Sequence, residues 1–336
     1  MYPEPAVRQP PAARQFYPLH DDELLYLVPP TGIDCGALDV CRARHNVHAR
    51  CERRHQRERA SGPIPAASLA GPLQRSFEVH AQVNPGARAL KFDGVELTYG
   101  ELDSQADGLA VLLQQNGLEP GQLCALYMEP SLALVRAILA VLKAGGAYLL
   151  LDPAQPEQSR AAILDIARPR LLLTQERLAL RLNATPAPTL LCSEDPSDLP
   201  YAWPQEWPSP GMSAACATAS VSVSGHYCVV PRTQTAMLAH LGWLQEISPI
   251  GQGDSILQNT GPGLNGSEIM WSLSHGARLV IPSPRDAAEP ARVRQLVARE
   301  RITVMHVASS QLRPLLNGAG AGELRSLRAL LCPGRD

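Results

Sequence analysis

Short apolar segments alternate with amphipathic segments along the middle of this chain, and this alternation constrains its fold more than any other feature. Apolar runs at 124–128, 147–151 and 170–174 have the length and composition of buried strands. Helical patterns at 131–143 and 159–167 separate them. Strands that alternate with helices in this way are joined by right-handed crossovers and form a parallel sheet.

The second half of the chain repeats this alternation. We therefore predict an α/β protein with two side-by-side α/β subdomains and largely parallel sheets. Before the first crossover, Asp93-Gly94 predicts a hairpin turn, and the spacing of Thr98 and Glu101 predicts a capping box at the start of a helix. Further strands are predicted at 189–192, 255–258, 277–281, 302–307 and 329–332, helices at 233–248, 268–274 and 288–300, and a loop at 193–213.

The composition changes near residue 72. Residues 1–71 contain paired prolines, and residues 42–59 hold seven arginines. We expect 1–71 to be a flexible Pro/Arg-rich arm or linker and 72–336 to fold. Contact with nucleic acid or an acidic partner, or a metal site, is an open alternative for the arm. Its potential zinc ligands lack the paired spacing of a zinc knuckle; they are Cys35, Cys41, His45, His48, Cys51 and His55.

Charge and hydrophobicity are those of an ordinary globular protein. The 336 residues carry a net charge of -2 and are 45% hydrophobic, which gives no reason to expect nucleic acid as the main partner. The longest apolar stretch, 133–151, is interrupted by Arg136 and Lys143, whereas a membrane span needs roughly 20 largely uncharged residues. The residues after Met1 lack the compact apolar core of a secretory leader, so we expect none, and the eight cysteines are scattered. We expect a cytoplasmic protein with reduced thiols and no membrane partner.

Two segments resemble the first two core motifs of the adenylation domains of non-ribosomal peptide synthetases, within the adenylate-forming ligase family. They read LTYGEL at 97–102 and LKAGGAYLLLDP at 142–153. Residues 165–174, 274–280, 302–307 and 324–330 follow the family pattern in the same order. The resemblance runs from 73 to 336 and implies the N-terminal part of such a ligase, an incomplete adenylation domain without the C-terminal part.

The resemblance also implies a chemistry and its partners. Family members join a carboxylic acid to the α-phosphate of ATP with the help of Mg²⁺, and then pass the acid to the thiol of a carrier protein. The family's Tyr-Gly-Pro-Thr-Glu motif and catalytic lysine have no counterpart by residue 336. We therefore predict no catalytic residue and no metal ligand in this chain, and expect a carrier-protein or synthetase partner to supply the missing parts if the chemistry occurs.

The phosphate-binding loop of the family is altered here. Where the family has TSGSTGxPKG, residues 218–227 read TASVSVSGHY. Thr218 and Ser222 keep hydroxyls, but His226 replaces the lysine. The valines obstruct close approach of the backbone to phosphate, and a neutral histidine is a poor replacement for lysine. We expect these three residues to mark a vestigial ATP loop without productive binding, or a surface loop between a strand and a helix.

The predicted acid pocket is also altered. Leu264-Asn265-Gly266-Ser267 stands where the family has Phe-Asp-x-Ser, so the charge that pairs with the ammonium group of an amino acid is absent. The resemblance leaves an amino, aryl or hydroxy acid, or no substrate. The positions that match the pocket of the family are Asn265, Gly266, His306, Leu331 and Pro333. For His306, the alternative is a structural role as a buried histidine.

One motif belongs to a different class. Residues 261–266 fit the G-x-G-x-x-G pattern of dinucleotide-binding proteins, but Pro262 removes a backbone donor from the turn that would hold pyrophosphate. The family alignment explains the same region. Three interpretations therefore stay open: an acid-activating enzyme that depends on a partner, a non-catalytic docking module of a peptide-synthesis assembly, and a truncated remnant.

Overall fold

The computed structural model describes residues 23–27 and 71–333, except 183–184, 198, 201–213, 222–226, 260–265 and 318–321. The strands in this part of the chain are β1 (Glu23–Leu27), β2 (Arg88–Phe92), β3 (Val95–Thr98), β4 (Leu123–Tyr127), β5 (Ala147–Leu151), β6 (Leu171–Thr174), β7 (Thr189–Leu191), β8 (Ala214–Val221), β9 (Tyr227–Thr233), β10 (Ser255–Asn259), β11 (Arg278–Ile281), β12 (Val304–Val307) and β13 (Ala329–Pro333). The helices are α1 (Arg75–Val83), α2 (Tyr99–Gln115), α3 (Leu132–Lys143), α4 (Glu157–Ala167), α5 (Glu176–Ala179), α6 (Gln234–Ile247), α7 (Ser267–Ser274), α8 (Pro284–Ala288), α9 (Pro290–Glu300) and α10 (Ser309–Leu316).

These strands form two sheets. The larger has the order β1-β13-β12-β10-β11-β2-β3, and the smaller has the order β7-β6-β4-β5-β8-β9. Pairing is parallel in the middle of both sheets and antiparallel at β1–β13, β2–β3 and β8–β9. The predicted α/β fold with two largely parallel sheets is confirmed.

The alternation suggested that each half of the chain forms its own sheet. In the structure, each sheet instead contains strands from both halves. The early hairpin β2–β3 joins the later sheet, where Leu90 pairs with Leu279 of β11. Strands β7, β8 and β9, from the second half, complete the earlier sheet. Local periodicity identifies the strands but does not specify which strand each one pairs with. The packing of the helices determines which sheet an early strand joins.

Helix α3 lies at the centre of the main core, and all of its residues are buried. The hydroxyl of Ser131 accepts from the backbone N–H of Leu134 and caps its first turn, as predicted. The predicted capping box of α2 is also present, with Thr98 and Glu101 exchanging hydrogen bonds. Such caps satisfy backbone donors that a helix leaves unpaired at its start.

The structure adds elements that the sequence patterns did not predict. Helices α1, α5, α8 and α10 are new, and β8–β9 is an antiparallel hairpin. Within the segment predicted as an arm, residues 23–27 pair with β13 along its outer edge. The potential zinc ligands between Cys35 and His55 lie outside the described residues. Among the helices that are described, none is long and apolar enough to cross a membrane.

Candidate functional site

The carboxyl ends of β10, β12 and β13 meet at one edge of the larger sheet. Gln258 of β10 is in register with His306 of β12, and His306 is in register with Leu331 of β13. Residues that pair laterally in a parallel sheet point to the same face, so these three side chains share a face. In open α/β sheets, ligands bind outside the carboxyl ends of the strands. This edge is therefore the candidate site.

Helix α7 covers this face of the edge. Its Trp271 packs edge-on against the imidazole of His306, with ring centroids 5.8 Å apart. The Oε1 atom of Glu268 lies 3.6 Å from Nδ1 of the same imidazole. Burial of the ring lowers the pKa of His306 to about 3, and the nearby His240 of α6 contributes to this shift. His306 is therefore a neutral imidazole beside a buried carboxyl group.

Gly266 precedes α7 and adopts a left-handed conformation, with φ of 67°. A Cβ atom at this position would lie 3.0 Å from the Tyr148 hydroxyl, so glycine fits both the conformation and the space. Among the predicted pocket positions, the structure brings Gly266 to the start of α7 and His306 and Leu331 to adjacent strands. Pro333 ends β13. Asn265 lies outside the described residues.

Two polar residues of this edge were missed by sequence reasoning. Gln258 and Glu268 lie in a predicted strand and a predicted helix, but a single sequence does not indicate that their side chains share a site. In the part of the chain that the structure describes, Gln258 Oε1 and His306 Nδ1 are buried without a hydrogen-bond partner. Buried polar atoms are normally satisfied, so each exception needs an explanation. The sequence signal that could have pointed to Gln258 is a polar residue that follows the apolar residues of its strand.

The segment matched to the phosphate loop forms part of a hairpin. Strand pairing runs from Thr218, opposite Val230, to Val221, opposite Tyr227. The hydroxyl of Thr218 donates to the backbone carbonyl of Val230 at 3.3 Å. The alternative of a surface loop over 218–227 is thus wrong for residues 218–221 and 227, because the alternating side chains of this stretch suit a strand. Ser222 and His226 lie outside the described residues.

The two lysines of the chain are both engaged away from this hairpin. Lys143 lies 2.7 Å from Asp107, 2.8 Å from Asp103 and 3.7 Å from Glu78. Its side chain is only 2% exposed. Lys91 pairs with Glu300 at 3.0 Å. Neither ammonium group is available to a phosphate at β8–β9.

Metal ligands and reactive thiols do not form a second site in the described residues. No group of three or more His, Cys, Asp or Glu side chains there could hold a metal ion. Burial raises the pKa of Cys216 to about 11 and also raises the pKa of Cys124 and Cys192. These thiols are therefore packing residues rather than nucleophiles.

Comparison with known proteins identifies the class. Residues 77–221 match the family model described as AMP-binding enzyme. The chain is 32% identical over 282 residues to phosphinothricin tripeptide synthetase PhsB of Streptomyces viridochromogenes, covering 81% of this chain and 23% of that protein. It is 28% identical over 270 residues to tyrocidine synthase 3 of Brevibacillus parabrevis, covering 78% of this chain and 4% of that protein.

A solved structure agrees with these matches. The AMPPNP-bound form of the non-ribosomal peptide synthetase FmoA3 superposes with a TM-score of 0.71 at 26% identity, covering 83% of this chain and 30% of that chain. The chain belongs to the adenylation-domain family of non-ribosomal peptide synthetases, whose AMP-binding members use ATP. It spans less than a third of the length of each of these three relatives.

Proposed function

We propose that this chain is the acid-binding core of an adenylation domain and that it does not form an acyl-adenylate by itself. The observation that carries this proposal is the hairpin β8–β9. Its strand pairing includes residues 218–221 and 227, so only residues 222–226 are left to connect the strands. A phosphate cradle needs several successive backbone N–H groups that converge on the ligand, whereas the N–H groups of a strand in an antiparallel pair point alternately towards the partner strand and away from it.

The side chains that the structure describes do not fit Mg²⁺-ATP at this hairpin. The Thr218 hydroxyl bonds to the partner strand, and both lysines are held by carboxylates elsewhere. Phosphoryl chemistry depends on positioned cations that neutralise the phosphate oxygens. We therefore assign no ATP-dependent step to these residues, and propose that activation of the acid requires a synthetase partner, with a carrier protein as the acceptor.

The acid-binding part of the proposal rests on the edge formed by β10, β12 and β13. Its buried polar atoms lie where ligands of open α/β sheets bind, and the chain is similar in sequence to a tripeptide synthetase, which supports the proposal. The substrate classes that the resemblance leaves open are amino, aryl and hydroxy acids. The alternative is that the chain is a non-catalytic docking module or a remnant. The hairpin is compatible with this alternative as well, but a docking module or remnant would bind no acid.

Equilibrium binding of Mg²⁺-ATP to the full chain, measured by calorimetry, tests the proposal. We expect no binding in the micromolar range, which corresponds to about -8 kcal/mol. The double variant Val223→Gly and His226→Lys restores two features of the family loop, and we expect it to gain measurable affinity. Micromolar binding by the unaltered chain would contradict the proposal, and circular dichroism of both proteins controls for folding.

Acid binding separates the two functions. Full-length protein is titrated with carboxylic acids in the absence of nucleotide. Binding of an acid supports the acid-binding core. A folded protein that binds neither acid nor Mg²⁺-ATP supports the docking module or remnant instead.

A further inference from the structure

Two polar side chains on the face of the larger sheet that α7 covers have unused hydrogen-bonding capacity. Gln258 is 9% exposed and His306 is 7% exposed. In the part of the chain that the structure describes, neither Gln258 Oε1 nor His306 Nδ1 has a hydrogen-bond partner. The carboxyl group of Glu268 does not supply one, because it lies 3.6 Å from His306 Nδ1 and already has an interaction partner within the protein. Buried polar atoms are normally paired, so a ligand group is the natural partner for these two.

The two side chains lie close enough to contact the same ligand group. Gln258 and His306 are in register on the adjacent parallel strands β10 and β12. Neighbouring strands lie about 4.8 Å apart, and side chains in register point to the same face. A hydroxyl oxygen that forms two hydrogen bonds of about 2.8 Å bridges groups at about this separation. One small polar group of a ligand can therefore bind to both side chains.

The chemistry of the two side chains favours a neutral group that both donates and accepts hydrogen bonds. The amide of Gln258 has a donor and an acceptor, and a neutral imidazole also has one of each. His306 is neutral because burial lowers its pKa to about 3. A hydroxyl group matches this pair without bringing a charge into the protein. A buried ammonium or carboxylate group would need a counter-charge, which an amide and a neutral imidazole do not supply.

We propose that Gln258 and His306 bind a hydroxyl group on the body of the acid, so that the site takes a hydroxyl-bearing carboxylic acid. This inference rests on the proposed acid-binding core and narrows the substrate classes left open there. It assigns Gln258 as a specificity residue, a role outside the five pocket positions predicted from the sequence. A site that binds a substrate hydroxyl through buried polar groups rejects the analogue without it, because those groups are then left unpaired.

Matched pairs of acids test the inference by calorimetry on the full chain. L-homoserine is compared with L-2-aminobutyrate, L-tyrosine with L-phenylalanine, and 4-hydroxybenzoate with benzoate, because the members of each pair differ by one hydroxyl group. We expect at least one hydroxyl-bearing acid to bind tenfold or more tightly than its counterpart. L-2,4-diaminobutyrate, which has a charged amine in place of the hydroxyl of L-homoserine, should bind more weakly than L-homoserine.

A substitution identifies the residue responsible. Gln258→Leu removes the amide and keeps a side chain of similar size, and we expect it to reduce the preference to less than threefold. The same substitution should leave the unfolding temperature of the unliganded protein unchanged or raise it, because it removes a buried polar group without a partner among the described residues. The matched control is Gln115→Leu, at the exposed end of α2, which should leave the preference unchanged.

The outcomes separate this inference from the proposed function. Equal binding of the two acids in every pair would overturn the inference and leave the acid-binding core standing. Tighter binding of L-2,4-diaminobutyrate than of L-homoserine would overturn it, and so would a preference that survives in folded Gln258→Leu. A clear fall in the unfolding temperature of unliganded Gln258→Leu would show that this amide serves the fold, which also overturns the inference. If none of the acids binds, the inference fails together with the acid-binding core.

Discussion

The framework around Lys143 and the hairpin β8–β9 both lie in segments that match motifs of one family, yet they use their polar groups differently. The Lys143 ammonium holds carboxylates from α1 and α2 at the end of a fully buried helix. The hairpin uses its Thr218 hydroxyl only to bond its partner strand. A motif that packs the fold can therefore persist in sequence after a motif that binds the cofactor has changed.

Removing the buried charge should have the largest effect. Lys143→Met leaves Asp103 and Asp107 without their cation, and breaking a buried ion pair in this way costs about 3–5 kcal/mol. The free energy of unfolding in urea measures the loss. The matched control is Lys91→Met, whose side chain is 26% exposed and whose partner Glu300 also has Arg278. We expect the control to lose about 1 kcal/mol or less; equal losses would show that burial is not the cause.

Acid should weaken the folded protein through its buried histidines. Burial lowers the pKa of His306 to about 3 and also lowers the pKa of His80, His240 and His275 below the usual 6.5. Above pH 6.5 each is neutral in both states, and as the pH falls the unfolded chain takes up protons that the folded chain refuses. Stability therefore decreases towards acid, by up to about 1.4 kcal/mol per pH unit for each histidine.

A variant isolates the share of one histidine. His306→Gln should make the decrease between pH 6.5 and 5.0 smaller by about 2 kcal/mol, measured by urea unfolding at each pH. His45→Gln, in the segment predicted as an arm, should leave the slope unchanged. If the slopes of the His306 variant and the unaltered protein coincide, burial of this ring is not linked to stability.

Loss of a single hydroxyl should distinguish the framework from the hairpin. The Tyr99 hydroxyl donates to the carbonyls of Leu273 and Ala277 and is buried, so Tyr99→Phe should cost about 1–3 kcal/mol. Tyr227, at the start of β9, shares a hydrogen bond with Ser159 at 2.6 Å in a partly exposed setting. Tyr227→Phe should cost less, and a larger loss there than for Tyr99→Phe would reverse the comparison.

The smallest effect is expected in the hairpin itself. Thr218→Val keeps the branched shape that suits a strand and removes the bond to Val230. We expect the free energy of unfolding to change by less than about 0.5 kcal/mol and calorimetry with Mg²⁺-ATP to be unaffected. A loss of nucleotide affinity in this variant would mean that the hydroxyl contacts phosphate after all.

Much of the fold was predictable because its signals are local. The capping box at Thr98 and the cap at Ser131 depend on residues three positions apart, and both are confirmed. The pairing of β2 with β11 was not predictable, because it joins segments far apart in the sequence. The strand that reaches Val221 was not predicted, because the family alignment treats this segment as a loop.

The candidate site was predictable only in part. The strand containing His306 and the helix containing Glu268 follow from periodicity, and the family pattern points to His306 and Leu331. That Gln258 and Glu268 face the same imidazole depends on strand order and on the rotation of α7, which local patterns do not determine. Ser222, His226 and Asn265 stay predictions, because they lie outside the described residues.

The insertion of β2 between β11 and β3 has a consequence for how the chain reaches its native state. The parallel ladder of β2 with β11 cannot close until the whole smaller sheet, which lies between them in sequence, has been synthesised. Pairings of such long separation form slowly, because the intervening chain must first lose its conformational freedom. Completion of the larger sheet therefore depends on synthesis of the smaller one. In a ribosome-bound chain that has not yet exposed residue 281, the edge of β2 that pairs with β11 is still unpaired.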